Sequence, residues 1–314
     1  MWTETFRPDR LVDVLGQEHI IDRLQFMLNC GEANRALAMH WPHMMFAGPP
    51  GTGKTYTAKL LAQLIRMEVV PSWTNTPQRK LIQFHPSYSY EDFVQGIKPV
   101  KDKVGDVSYE LQPGIFQKLC QDYMDYNAKN LAVDKSTKVL IIDEINRGNL
   151  PKIFGELIYA LEYRDEEVDL QYKEFEKGGK NGTLNIPESL KIIGTMNTAD
   201  RSIVLFDTAL RRRFSFIPLF PDYELLAEEF GLGGTLDDGF NNALQNQHLT
   251  DDEKHRTLSV LALGAINTKL VGNDSIGREK QIGHTFLLEL KEHPENFVKV
   301  WKRDIIPLLE EFYF

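Results

Sequence analysis

An eight-residue loop constrains the fold of this chain more than any other feature of its sequence. The loop consists of Gly48, Pro49, Pro50, Gly51, Thr52, Gly53, Lys54 and Thr55, and it fits the pattern G-x-x-x-x-G-K-[ST]. The apolar residues 44–47 before the loop predict a buried strand, and residues 57–62 after it predict an amphipathic helix. A strand, a glycine-rich loop and a helix in this order are typical of an α/β fold whose loop wraps a phosphate group.

The residue types in this loop suit a nucleoside triphosphate. Glycines let backbone N–H groups surround the β-phosphate, and the N-terminus of the following helix adds the positive end of its dipole. The Lys54 ammonium can reach the β- and γ-phosphates, and the Thr55 hydroxyl can occupy one position around Mg²⁺. We therefore predict that residues 48–55, together with the adjoining Tyr56, bind a nucleoside triphosphate with Mg²⁺.

Composition and charge limit the remaining classes of protein. The chain has 314 residues, of which 42% are hydrophobic and 26% charged, as expected for a globular protein of two domains. Its net charge of −9 argues against a surface coated with nucleic acid, although a local basic strip is compatible with this charge. Cys30 and Cys120 give no disulfide framework, and no apolar run is long enough to cross a bilayer. We therefore expect a cytoplasmic protein without a membrane span.

Apolar segments alternate with helical segments along residues 44–220. This alternation predicts an α/β core with a mostly parallel sheet between helices. Pro218 and Pro221 mark the end of the core, and residues 221–314 show helical patterns, which predict a smaller helical domain. The predicted strands are 81–84, 138–142, 191–196 and 213–218, and the predicted helices are 116–127 and 150–163. A short helix followed by a Gly/Pro break is predicted for residues 91–100. An exposed hairpin or loop is predicted for residues 164–182.

Residues 139–144 read Val-Leu-Ile-Ile-Asp-Glu, a hydrophobic strand that ends in two carboxylates. This is the Walker B pattern. Asp143 would hold Mg²⁺, directly or through water, and Glu144 would orient and polarise the attacking water. An acidic pair at the end of a strand can also be a solvated cap, but the phosphate-binding loop upstream favours the functional interpretation.

A polar segment, residues 195–201, follows the next predicted strand and reads Thr-Met-Asn-Thr-Ala-Asp-Arg. Asn197 could form hydrogen bonds with both the γ-phosphate and the attacking water, which is the role of a sensor. The alternative is an Asx-turn or a helix N-cap, because asparagine and aspartate favour both. For Asp200 and Arg201 the functional and the local structural interpretation remain equally open.

Three arginines, Arg211, Arg212 and Arg213, stand together between a predicted helix and a predicted strand. Such a run is usually a solvated basic face. The alternative is an arginine finger, which stabilises the transition-state charge at the γ-phosphate of a neighbouring subunit. This second interpretation requires a pair or a ring of subunits.

The phosphate-binding loop, the Walker B strand, the sensor asparagine and the later arginines resemble, in this order, the core of an AAA+ ATPase followed by its helical lid. Longer stretches narrow the resemblance to McrB, the motor subunit family of the McrBC modification-dependent restriction systems. The resemblance covers residues 44–314, and the Met-Asn-Thr-Ala-Asp-Arg segment is its most specific sign. The stretches are 83–93, 142–147, 196–202 and 209–216, with 282–284 and 306–311 in the tail.

The resemblance to McrB implies an activity and a set of partners. It implies GTP hydrolysis, a hexameric ring, an McrC-like nuclease subunit, and DNA contacted directly or through another domain or subunit. It also implies that Arg147 reaches across the subunit boundary, with Arg201 at the same interface. His284 would lie where the lid approaches the nucleotide, although a buried structural histidine is an equally good interpretation.

The same resemblance assigns catalytic roles. Asn197 and Asp200 would belong to the signature loop of the family. Arg213, perhaps with Arg212, would act as the arginine finger in the neighbouring site.

Residues 1–43 open an alternative. Segments 2–8 and 14–19 are similar to the N-terminus of clamp-loader ATPases, where this segment packs on adenine. The chain also lacks N-K-x-D, the guanine-reading motif of small GTPases. GTP is therefore favoured on family resemblance alone, and an ATP-dependent clamp loader or remodelling ATPase is the alternative. A nucleotide-gated scaffold with little turnover is a third hypothesis, which the presence of Glu144 and Asn197 disfavours.

Overall fold

A computed structural model describes most of the chain. The described residues are 42–69, 79–101, 107–129, 138–164, 166–173, 182–200, 208–232, 250–272 and 277–313. Almost all of the predicted N-terminal segment 1–43, and Arg201, lie outside the described residues.

Strands and helices alternate through the first two thirds of the described chain. The strands are β1 (His43–Gly48), β2 (Arg79–Gln83), β3 (Gln95–Lys101), β4 (Val107–Pro113), β5 (Lys138–Asp143), β6 (Val168–Asp169), β7 (Thr183–Leu184), β8 (Leu190–Asn197) and β9 (Phe214–Pro218). The helices are α1 (Lys54–Val69), α2 (Tyr90–Phe93), α3 (Ile115–Lys129), α4 (Leu150–Phe154), α5 (Leu157–Ala160), α6 (Thr208–Arg211), α7 (Tyr223–Glu229), α8 (Asp251–Val271), α9 (Glu289–Glu292), α10 (Phe297–Val300) and α11 (Ile306–Tyr313).

A five-stranded parallel sheet forms the centre of the core, in the order β2-β5-β8-β1-β9. Its strands are rich in Val, Ile, Leu and Met because both faces of the sheet are covered. On one face, Met44 and Ile141 pack with Leu61 of α1. On the other face, Leu140 and residues from α3, α4 and α5 form a larger cluster. The predicted α/β class with a mostly parallel sheet is confirmed.

The prediction for residues 91–100 was wrong in its second half. A helix does begin there, but β3 follows it and pairs in antiparallel fashion with β4, from Gln95 opposite Pro113 to Lys101 opposite Val107. Sequence inspection took Gly96 and Pro99 as breakers. In a two-stranded sheet both strands are edges, where a proline without an N–H group is tolerated.

The single helix predicted over residues 150–163 is instead two short helices, α4 and α5. Gly155 separates them with a φ of +48°, and the Tyr90 ring lies 3.0 Å from where a Cβ atom would stand on it. A positive φ ends a right-handed helix, and glycine adopts it at little cost. An exposed hairpin or loop was predicted for residues 164–182. At the described ends of this segment β6 pairs with β7, which begins one residue beyond the predicted range.

The described part of residues 221–314 contains helices and no strand, as predicted. Helix α8 begins with a capping box, in which Thr250 and Glu253 each bond to the backbone N–H of the other. Leu226, Leu263 and Leu287 have no exposed surface and anchor a separate hydrophobic cluster. Within the described ranges, no helix is long and apolar enough to cross a membrane.

The register of the central sheet brings the predicted site residues to one edge. Gly48 at the end of β1 lies opposite Asn197 on β8, and Asp143 ends β5 two residues beyond Ile141, which lies opposite Ile193 on β8. Because the strands are parallel, their carboxyl ends meet at the same edge. The phosphate-binding loop, the acidic pair and the sensor segment therefore face one another.

Candidate functional site

The phosphate-binding loop holds its lysine close to the loop backbone. Lys54 Nζ donates a hydrogen bond of 2.6 Å to the carbonyl oxygen of Pro49, and Thr52 Oγ1 donates to the same oxygen at 3.0 Å. Burial lowers the pKa of Lys54 from 10.5 to about 8, while the carboxylates of Glu144 and Asp143 act in the opposite direction. The lysine is thus a desolvated cation that an incoming phosphate would stabilise.

Asp143 accepts two short hydrogen bonds through one oxygen. Thr55 Oγ1 donates to Asp143 Oδ1 at 2.6 Å, and Thr195 Oγ1 donates to the same atom at 2.5 Å. Thr195 Oγ1 also accepts a hydrogen bond of 3.2 Å from the backbone N–H of Glu144. The Thr195 hydroxyl therefore fixes both acidic residues, a role that sequence inspection missed. Its only sequence signal is a buried hydroxyl two residues before Asn197 on the same strand.

The donor set around Asp143 fits Mg²⁺. The Thr55 hydroxyl and the Asp143 carboxylate are hard oxygen ligands, and they already lie within hydrogen-bond distance of each other. Mg²⁺ is usually held by one or two protein oxygens, with substrate phosphates and waters completing its shell. Thr55 and Asp143 are therefore the residues that would hold the ion.

Glu144 turns away from the strand in an unusual backbone conformation. Its φ is +51°, and within the described chain no other residue except glycine has a positive φ. This left-handed region is uncommon for residues with a Cβ atom and is often found at functional sites. Glu144 Oε2 accepts a hydrogen bond of 3.1 Å from Arg147 Nε.

Arg147 joins the acidic pair to the sensor segment. Its Nη2 lies 3.3 Å from Asp200 Oδ2, while its Nε donates to Glu144 Oε2. The resemblance to McrB implied that Arg147 reaches a neighbouring subunit. In this structure its guanidinium contacts two carboxylates of its own chain, and its role across a boundary stays a prediction.

Asn197 forms the Asx-turn that was one of the two interpretations given to it, and its role as a sensor stays a prediction. Its Oδ1 accepts a hydrogen bond of 3.2 Å from the Ala199 N–H group, which forms the Asx-turn. Asn146 Nδ2 donates to the Asn197 carbonyl oxygen at 3.1 Å, and Thr198 N donates to the Gly48 carbonyl oxygen at 3.0 Å. These contacts hold Asn197 beside the phosphate-binding loop. Since Oδ1 is engaged, Nδ2 is the side-chain group that can serve a nucleotide.

The helical domain rests directly on the phosphate-binding loop. Gly283 N donates to the Pro50 carbonyl oxygen at 2.8 Å, and both the N–H and the hydroxyl of Thr285 donate to the Gly51 carbonyl oxygen, at 2.9 and 2.8 Å. These bonds use only carbonyl groups of the loop. They do not engage the N–H groups that would wrap a phosphate, and the helical domain therefore contacts the back of the same loop.

His284 lies between these two contacts and is buried. Its Nδ1 accepts a hydrogen bond of 3.0 Å from the backbone N–H of Asp222. Burial lowers the pKa of His284 from 6.5 to about 4, so the ring is neutral and carries its proton on Nε2. The Asp222 contact gives the histidine a structural role, and a contact with nucleotide stays a prediction. Tyr56, on the first turn of α1, is partly exposed.

The arginine pair, Arg212 and Arg213, lies at the amino-terminal ends of the parallel strands, opposite the end that carries the phosphate-binding loop. Arg212 and Arg213 precede β9, whose first residue, Phe214, lies opposite His43 at the start of β1. The six-residue β1 runs from the start of the sheet to the phosphate-binding loop. At about 3.3 Å per residue, its two ends are about 16 Å apart. Both guanidinium groups bind the carboxylate of Glu162 instead. Neither arginine therefore reaches the phosphate-binding loop of its own chain.

The fold and the site define a P-loop nucleotide-binding protein of the AAA type. A family model described as "AAA domain (dynein-related subfamily)" matches residues 43–214, and one described as "McrB, alpha-helical lid domain" matches residues 259–314. The chain therefore belongs to the dynein-related subfamily of AAA proteins and is an McrB-type member of it.

Similar proteins come from DNA restriction and DNA replication. The chain is 35% identical over 283 residues to the type IV methyl-directed restriction enzyme EcoKMcrB subunit of Escherichia coli (strain K12), covering 87% of this chain and 54% of that protein. It is 27% identical over 201 residues to the type II restriction enzyme BsuMI component YdiS of Bacillus subtilis (strain 168), covering 54% of each. It is 34% identical over 125 residues to the replication factor C small subunit of Pyrococcus furiosus, covering 33% of this chain and 14% of that protein. The chain spans about half the length of the first two relatives.

Proposed function

We propose that this protein hydrolyses a nucleoside triphosphate, with GTP favoured over ATP, and acts as the motor subunit of an McrBC-like DNA restriction complex. One observation carries the hydrolytic part of the proposal: Thr55, Asp143 and Thr195 share short hydrogen bonds at the strand edge where Glu144 and Asn197 also lie. A protein that only bound nucleotide would need neither Glu144 nor Asn197.

Each side chain has a distinct part in this mechanism. Lys54 neutralises the β- and γ-phosphates, and the Asn197 amide orients the γ-phosphate and the attacking water. Glu144 accepts the hydrogen bond of that water and polarises it toward the γ-phosphorus. Mg²⁺, held by Thr55 and Asp143, would neutralise charge on the phosphate oxygens. Asp200 acts through Arg147, which it holds beside Glu144.

The position of the arginine pair supports assembly into a ring, for which we propose a hexamer. Arg213 and Arg212 lie one strand length away from the phosphate-binding loop of their own chain. A catalytic role for either one therefore requires the site of another copy. We further propose that residues 44–220 form the nucleotide-binding core, that residues 221–314 form the lid, and that residues 1–43 pack on the nucleotide.

The relatives support DNA and a nuclease as partners. Two of them are named as parts of restriction enzymes, and the proposed McrC-like nuclease would couple hydrolysis to DNA translocation and cleavage in the cytoplasm. The second candidate is an ATP-dependent clamp loader or remodelling ATPase. The similarity to a replication factor C small subunit favours it.

Turnover of GTP against ATP tests these candidates. Phosphate release is measured with Mg²⁺ and each nucleotide, alone, with DNA, with DNA plus an McrC-like nuclease subunit, and with DNA plus a ring-shaped sliding clamp. The restriction proposal expects a preference for GTP and stimulation by the nuclease. A preference for ATP with stimulation by a ring-shaped clamp would favour the second candidate. Glu144→Gln, which should bind but not hydrolyse, serves as the blank for contaminating phosphatases.

A further inference from the structure

We propose that Glu162 is a positioning residue for the arginine pair that serves a neighbouring copy of this chain. The proposal rests on the ring-forming hydrolase proposed above. It assigns a function to a carboxylate that no sequence motif singled out and that lies far from the phosphate-binding loop of its own chain. The ligand that the pair would serve is the γ-phosphate bound by the neighbouring copy.

Glu162 holds both arginines through a single oxygen. Arg212 Nη2 donates to Glu162 Oε2 at 3.2 Å, and Arg213 Nη2 donates to the same atom. Glu162 closely follows α5, and Leu157 in that helix and Leu161 directly after it are buried in the core. The backbone that carries Glu162 is therefore held in place by the core, whereas an arginine side chain without this partner would sample many rotamers.

The two arginines differ in exposure, which separates their parts. The Arg213 side chain is 8% exposed and the Arg212 side chain is 65% exposed. Arg212 uses one guanidinium nitrogen for Glu162, and within the described chain its other side-chain N–H groups make no hydrogen bond. A guanidinium carries five N–H donors in a rigid fork. Arg212 can thus keep its contact with Glu162 and present its remaining donors to a phosphate. The buried Arg213 binds the same carboxylate and helps to fix its position.

The surface around Glu162 suits contact with a second copy. Tyr159 and Tyr163 flank Glu162 in sequence, stack on each other with ring centroids 4.6 Å apart, and are 47% and 44% exposed. Tyrosine and arginine, together with tryptophan, are enriched at the energetic centres of protein interfaces. Two exposed tyrosines beside an exposed arginine therefore mark this face as the one that meets the neighbour.

The test compares Glu162→Gln with Glu167→Gln. Glutamine retains an acceptor but loses the charge that fixes the guanidinium groups. Glu167 is an exposed carboxylate five residues on that bonds to Thr183 Oγ1 at 2.5 Å, so its variant removes the same charge without touching the arginine pair. Because a small displacement of a catalytic group can cost up to about 10²-fold, we expect the turnover of Glu162→Gln to fall by about 10- to 100-fold. Its nucleotide affinity and its assembly should stay at the wild-type level, and Glu167→Gln should match wild type throughout.

Mixed assemblies distinguish positioning in the neighbouring site from a structural role. A Glu144→Gln subunit retains Glu162 and can offer a well-placed Arg212 to a Glu162→Gln neighbour, whose own Glu144 is intact. Mixing the two variants should therefore restore turnover above the sum of the separate variants. No restoration despite proven co-assembly would overturn the inference, as would wild-type turnover of Glu162→Gln. If wild type itself showed no hydrolysis or no nucleotide-dependent assembly, the proposed function would be the part that failed.

Discussion

Replacing Thr195 with valine should damage both stability and hydrolysis. Valine keeps the shape of threonine but removes the donor to Asp143 and the acceptor for the Glu144 N–H group. A hydrogen bond to a charged group contributes about 1.5–3 kcal/mol, and a buried N–H group without a partner costs about 1–3 kcal/mol. We therefore expect the free energy of unfolding to fall by about 3 kcal/mol, and turnover to fall by about 10-fold or more because both acidic side chains lose their orientation.

Thr195→Ser is the matched control, because it keeps the hydroxyl and loses one methyl group at a position that is 2% exposed. The methyl group should cost about 1 kcal/mol and leave turnover close to that of wild type. Urea unfolding followed by circular dichroism and phosphate release under saturating nucleotide would measure the two effects. If Thr195→Val were as stable and as active as Thr195→Ser, the hydroxyl would not organise the acidic pair, and the reasoning would fail.

Three further predictions follow from the site. Glu144→Gln should bind fluorescent GTP like wild type but hydrolyse it about 10²-fold more slowly or worse; phosphate release near the wild-type rate would contradict the assigned role. The pKa of Lys54 is about 8 in the free protein, and a bound phosphate favours its charged form. Nucleotide binding above about pH 8 should therefore take up a proton on Lys54, and the affinity should decline as the pH rises. Calorimetric titration in two buffers detects the proton uptake, and a constant affinity from pH 7 to 9.5 would refute the prediction. The pKa of His284 is lowered from 6.5 to about 4 on folding, so the free energy of unfolding should fall as pH drops from about 6.5 toward 4. His284→Asn, whose Oδ1 can still accept from Asp222, should reduce this dependence in urea titrations, and an unchanged slope would exclude the histidine as its source.

The central part of the site was predictable because its motifs combine local and topological constraints. The loop that ends in Thr55 has a characteristic backbone, and the short apolar run before Asp143, rich in Val, Leu and Ile, favours a buried strand. In a parallel sheet the carboxyl ends of such strands share one edge. The meeting of Lys54, Asp143 and Asn197 therefore follows once the alternation of strands and helices has been recognised.

The contacts that were not predicted depend on packing between distant segments. Thr195 meets Asp143 across two adjacent strands, and only their register decides which hydroxyl does so. Glu162 meets Arg213 through the fold of segments that are 51 residues apart, and no motif marks the carboxylate. The break at Gly155 was missed because the apolar spacing of residues 150–163 fits one helix, whereas packing against Tyr90 favours two.

The contact between the helical domain and the phosphate-binding loop leads to a last prediction, for Gly283→Ala. Gly283 has a φ of −70° and a ψ of 156°, which any residue adopts, so the backbone conformation does not require glycine. The lack of space requires glycine instead, because a Cβ atom on Gly283 would stand 1.8 Å from the carbonyl carbon and oxygen of Gly51. Either the helical domain or the loop must move, and the bond from Gly283 N to the Pro50 carbonyl oxygen would be strained or lost.

Overpacking of this kind lowers the free energy of unfolding by about 1–3 kcal/mol. Here the displaced backbone is the one that must wrap the phosphates. We therefore expect Gly283→Ala to unfold at lower urea concentration and to bind nucleotide about 10-fold more weakly, since 1.4 kcal/mol corresponds to about tenfold in affinity. Gly264→Ala is the control, because a Cβ atom on Gly264 of α8 would stand 3.9 Å from the Tyr223 ring and alanine favours a helix. Equal affinity and equal stability of the two variants would show that the helical domain does not rest on the loop. A loss of affinity confined to Gly283→Ala would instead make the back of the phosphate-binding loop the link through which nucleotide binding is coupled to the position of the helical domain.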